Sequence, residues 1–178
     1  MHTSLKNTSY AAMFVALGLV LPFFTGQLPQ LGSVLLPMHL PVLLCGFVCG
    51  WRYGLGVGLG LPLLRSLLLG SPPLVPIALA MSLELGAYGF LGGFLFDRAR
   101  WHCLRMVYKC MLVALLGGRC LWGISMAMLL GLSGQSFTWK LFVMGAFVES
   151  LPGVILQLII VPLVLVAMHR TRRGGSCN

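Results

Sequence analysis

Long apolar blocks alternate with short polar breaks along this chain. The blocks predict six helices, at about 9–24, 36–49, 53–69, 73–96, 106–132 and 139–169. A bilayer's hydrocarbon core is about 30 Å thick, so one helical crossing takes roughly 20 mostly apolar residues. Most of the blocks meet that length. The second is shorter than the bilayer is thick, so it either tilts little or stops short of one surface. The breaks have local causes. Gln27, Pro29, Gln30, Gly32 and Ser33 make a polar connection between the first two blocks. Residues 50–53 read as a tight charged turn. Residues 70–73, Gly-Ser-Pro-Pro, end the third helix and preset the start of the fourth, because proline suits a first helical turn. A charged loop follows from Asp97 to Arg105. Lys6 ahead of the apolar run from Ala11 to Phe24 looks like a signal peptide, but no small-x-small cleavage site follows, so the run is read as a retained first helix.

Composition supports the membrane reading. Of the 178 residues, 58% are hydrophobic and 8% are charged, whereas a soluble domain has about a quarter of its residues charged. So few charges cannot cover a water-facing surface. The fold class is therefore all-α integral membrane, with one transmembrane domain over 1–178. The net charge of +9 does not indicate nucleic acid, because the cations sit in short clusters between apolar blocks. In a six-span arrangement both termini share a side with Lys6, Arg52, Arg98, Arg100, Arg105, Lys109, Arg170, Arg172 and Arg173. Only Lys140 falls opposite, and Arg65 and Arg119 fall inside spans. The positive-inside rule then places both termini in the cytoplasm and lets the cationic loops meet anionic lipid.

Candidate chemistry is confined to a few positions. An ionised side chain at mid-bilayer costs about 2.5–3.5 kcal/mol even on a lenient insertion scale. Arg65, Glu84, Arg119 and Glu149 accept that cost. In the predicted topology they fall from mid-membrane to the outer side, where they would line a cavity open to the outside. Two readings stand for them, structural ion pairing and a ligand site. His39 opens the second helix at the same surface, between Pro37 and Pro41. Trp122 follows Arg119 by three residues, on the same helix face. The polar connection with Gln27 and Gln30 would lie above as a lid. Enzyme signatures are missing: there is no GxxxxGK[ST], HExxH or GxSxG in the sequence, so no ATPase loop, zinc protease or serine hydrolase is indicated. The six cysteines form no CxxC pair and the four histidines are scattered. No metal site or cofactor is expected.

Small residues recur inside the spans. Gly54, Gly56, Gly58 and Gly60 alternate along the third helix, and Gly89 and Gly93 form a small-xxx-small pair, the pattern of close helix contact within one chain. Ala12 and Ala16 form another pair on an otherwise bulky first helix, and are the better candidates for docking a separate membrane protein.

Together with the length and topology, three features resemble the substrate-binding (S) components of energy-coupling factor (ECF) transporters. They are the Ala12-xxx-Ala16 pair, the run from Leu36 to Gly46 (LPMHLPVLLCG) followed by GWRYG at 50–54, and PLLRS at 62–66. The resemblance spans nearly the whole chain. It implies a six-helix vitamin importer subunit in a prokaryotic plasma membrane, with both termini cytoplasmic. It further implies capture of a small vitamin-like solute from outside, in the pantothenate or riboflavin class, under the first loop. Gln27, Gln30, Glu84, Arg119, Trp122 and Glu149 are the contacts it points to. Partners would be a transmembrane coupling subunit, docked on Ala12 and Ala16, and two ATPases. The alternatives are a self-contained proton-coupled secondary transporter, with Glu84 and Glu149 as proton carriers, and a non-transport accessory subunit.

Overall fold

The structure is a computed structural model that describes residues 2–24, 38–70, 73–99, 104–132 and 151–172. Apart from Met38, Gly50, Gly70, Pro73 and Ala99, those residues are helical, and none of them is in a strand. In chain order the helices are α1 (His2–Phe24), α2 (His39–Cys49), α3 (Trp51–Leu69), α4 (Leu79–Arg98), α5 (Leu104–Leu132) and α6 (Leu151–Arg172). A π-helical turn, Leu74–Ala78, leads into α4. The expected polar connection with Gln27 and Gln30, the start of the sixth block and Glu149 lie outside the described residues.

Each helix falls on one of the six apolar blocks. Two stretches, Leu74–Arg98 and Leu104–Leu129, are long and apolar enough to cross a membrane, each with a mean hydropathy of 1.7; His39–Cys49 and Pro152–Met168 are shorter apolar helices. Large apolar side chains face outward in stripes one helical turn apart: Met13, Leu17 and Val20 on α1, Leu112, Leu116 and Ile124 on α5, and Ile155, Ile159 and Leu163 on α6. A surface of this kind suits hydrocarbon rather than water.

Several boundaries differ from expectation, for identifiable reasons. The tight turn at 50–53 contracts to Gly50 alone. Its φ of 92° lies where side chains are disfavoured, so one residue reverses the chain. Trp51, Arg52 and Tyr53 are then free to join α3 as its first turn. The start of the fourth span is not regular α-helix. Pro76 has no N–H to donate and pushes the residue before it out of the helical region. Val75 is accordingly extended (φ −122°, ψ 130°). The turn closes through a wider bond, from Ala78 N–H to Pro73 O at 3.0 Å. Asp97 and Arg98 complete the last turn of α4 rather than opening a loop.

α4 is the central helix and packs against α2, α3 and α5. α1 lies on α2 and α3, and α6 touches α2 and α5. The core between them is built from Phe14, Val42, Leu43, Leu61, Leu85 and Met111, among others. Where α2, α3 and α4 cross, backbone meets backbone. A Cβ added to Gly46 would sit 2.7 Å from the carbonyl oxygen of Gly89, and one on Gly93 would sit 2.7 Å from Gly46 O and from Trp51 N. Gly54 and Gly58 join this contact, but Gly56 and Gly60 have nothing within 4 Å. The alternating glycines of α3 therefore split by face, as a 3.6-residue period requires.

Candidate functional site

A polar cluster is buried where α2, α4 and α5 meet. At its centre is Glu84 of α4, 1% exposed. Arg119 of α5 places Nη1 3.1 Å from Glu84 Oε1. Tyr88, one turn further along α4, donates its hydroxyl to the same oxygen at 2.7 Å. His39, the first residue of α2, lies with Nε2 3.7 Å from that oxygen. Its ring tilts over the Tyr88 ring with centroids 5.2 Å apart. One carboxylate thus gathers partners from three helices. The helix directions explain Tyr88: side chains lean toward the N-terminus, so a residue at i+4 reaches back to i. Gly118 gives α5 its approach, because its missing side chain leaves room for the Tyr88 ring.

The cluster holds more hydrogen-bonding capacity than it uses. Among the described residues, Arg119 Nε and Nη2 and the ring nitrogens of His39 are buried with no hydrogen-bond partner, His39 Nε2 having only its 3.7 Å contact with Glu84; both amide atoms of Gln157 on α6 are buried and unpartnered as well. Leaving such a group unpaired costs about 1–3 kcal/mol, and more when it is charged. Buried polar groups are nearly always paired, so unpaired ones on both Arg119 and His39 make this cluster the candidate site.

Arg65, half-buried on α3, does not reach a carboxylate among the described residues. Its Nη1 donates to Met38 Sδ at 3.0 Å, and its Nε is unpartnered. Since Met38 directly precedes His39, Arg65 sits beside the α2 end of the cluster. Trp122 is partly buried on α5, one turn beyond Arg119. Ala12 and Ala16 both lie on the exposed face of α1. Of the residues expected from sequence, the structure therefore joins His39, Glu84 and Arg119, and sets Arg65 nearby. Gln27, Gln30 and Glu149 fall outside the described residues. Tyr88 and Gln157 were not among the expected contacts. The i, i+4 spacing of Glu84 and Tyr88 was the available signal for the first, and an amide within an apolar block for the second.

A separate surface groove of about 420 Å³ runs between α3, α4 and α5, lined by residues such as Leu55, Leu59, Leu83, Phe90 and Leu121. Its walls are apolar and it opens on a different face of α4 from Glu84. It has no chemistry to fix a polar solute, and the buried cluster is the better candidate site. Among the described residues no group of histidine, cysteine and carboxylate side chains is placed to hold a metal ion.

No curated protein and no solved structure matches the chain. One protein family does: its model, described as the substrate-specific component of ECF transporters, matches residues 9–165. That range takes in α2 to α5 whole, most of α1 and α6, and every member of the polar cluster, and the chain belongs to this family of ECF transporter substrate-specific components.

Proposed function

We propose that this protein is the capture subunit of an ATP-driven importer, binding a small water-soluble vitamin or related micronutrient from outside the cell. The observation that carries the reading is the buried cluster of His39, Glu84 and Arg119 with its unpartnered donors and acceptors. A purely structural ion pair has no use for that surplus; a polar solute does. In the six-span topology with both termini cytoplasmic, the cluster lies below the outer ends of α2, α4 and α5. Gln27, Gln30, Trp122 and Glu149 are the further solute contacts of this reading. Arg65 stands at the mouth. The pantothenate or riboflavin class is the solute range considered first. The exposed pair Ala12 and Ala16 lets a coupling subunit approach α1 closely, and two ATPases on other chains supply the energy.

Calorimetry on purified protein in nanodiscs, without ATP, against a panel of water-soluble vitamins and precursors tests the reading. One-to-one binding of a single compound is expected, weakened by Arg119→Ala. A panel that gives no binding removes the capture role.

A further inference from the structure

We propose that Arg119 reads a carboxylate, so that the captured solute is a carboxylic acid held side-on by this guanidinium. The proposal rests on the capture reading above and narrows it. It comes from how the five N–H donors of Arg119 are divided. Nη1 faces Glu84 at 3.1 Å. Nε and Nη2 are buried and have no partner. Those two nitrogens lie on the same edge of the planar guanidinium, and their N–H bonds point parallel. That edge is the fork that receives both oxygens of a carboxylate in two parallel hydrogen bonds. A carbonyl or hydroxyl would satisfy one donor and leave the other stranded in a buried setting.

The surroundings hold the fork in place. Glu84 fixes the Nη1 side, and Tyr88 fixes Glu84 through its 2.7 Å hydrogen bond. Glu84 and Tyr88 are thus positioning residues for the free edge. Glu84 also limits the solute's charge. A second anion docked on Arg119 lies close to the first, so a phosphate dianion meets stronger repulsion than a carboxylate does. Arg65, beside Met38 with its own unpartnered Nε, adds a second cation on the side from which the anion comes. His39, whose Nδ1 has no hydrogen-bond partner among the described residues, offers that nitrogen to the rest of the solute.

Matched pairs of acids and neutral analogues test the assignment. The wild-type protein in nanodiscs is titrated with pantothenate and panthenol, nicotinate and nicotinamide, biotin and biotinamide, and riboflavin and riboflavin 5′-phosphate. Within the pair that binds, the acid is expected to bind at least about thirtyfold more tightly than its neutral analogue, the size of a lost buried charge-assisted contact. Arg119→Lys keeps the charge and removes the fork; it is expected to weaken the acid on the order of a hundredfold and the neutral analogue by clearly less, so that the preference for the acid shrinks. If this variant fails to fold, the wild-type pairs decide alone. Equal or tighter binding of a neutral member, riboflavin included, or preference for the phosphate ester, overturns the carboxylate assignment and leaves the capture role standing. No binding by any pair overturns both.

Discussion

The Glu84–Arg119 bridge makes a quantitative prediction about stability, separate from any ligand. At 3.1 Å and an effective dielectric of about 20, the attraction between two unit charges is about 5 kcal/mol before desolvation is subtracted. Replacing Glu84 with alanine removes the anion and leaves Arg119 buried and uncompensated, a loss of about 3–5 kcal/mol. It also strands the Tyr88 hydroxyl, which adds about 1–3 kcal/mol. Removing Arg119 leaves Glu84 with Tyr88 and His39, so that single change should cost less, about 3 kcal/mol. The double change Glu84→Ala with Arg119→Ala has no stranded charge. It should be no less stable than Glu84→Ala alone, which corresponds to a coupling energy of at least about 3 kcal/mol, the whole cost of the Arg119 change. The assay is a double-mutant cycle, with unfolding in mixed micelles followed by circular dichroism as denaturing detergent is raised. A coupling energy under about 0.5 kcal/mol would mean that the two charges do not stabilise one another, and the account of the site as built around this bridge would fail.

Other outcomes follow from placement. Ala12→Leu and Ala16→Leu project from the exposed face of α1; both should leave ligand binding and folding intact while reducing co-purification with a coupling complex, and unchanged assembly would remove the docking role. Gly89→Ala drives a Cβ into the backbone of Gly54 and should cost at least about 2 kcal/mol by the mechanism of an overpacked core. Gly56→Ala, with nothing within 4 Å, should be neutral or stabilising by up to about 1 kcal/mol, since alanine is the better helix former; thermal unfolding of the two variants side by side checks the contrast. Purified protein alone in liposomes should not accumulate solute when a pH gradient is imposed; uptake under that condition would favour the secondary-transporter reading.

The six blocks and the buried charges were legible because both rest on large terms. A helix-length apolar run and an ionised group within it each involve several kcal/mol, so Glu84 and Arg119 stand out of the sequence without help. His39 stood out by its place between two prolines. Tyr88 did not. It lies one helical turn beyond Glu84, and the backward lean of helical side chains brings its hydroxyl to the carboxylate. Gln157 carries no charge, so nothing in the sequence separates a buried amide from one at an interface. The turns were legible as breaks but not as shapes. Gly50 takes the whole reversal on itself, and Pro76 imposes a π-turn that a proline-rich start does not announce. The glycine run on α3 predicted close packing, but its division into an inner and an outer face needed the positions of α2 and α4.

The crossing at Gly46, Gly54, Gly89 and Gly93 has a consequence for how such a protein can diversify. A joint made of main chain carries no rotamers and no exchangeable side chains; it can be kept or lost, but not retuned. On the proposed capture role, a change of solute preference has to be written elsewhere, at positions such as 39 and 119, whose side chains face the buried carboxylate of Glu84. The three helices can therefore serve as a fixed chassis beneath a replaceable reading head.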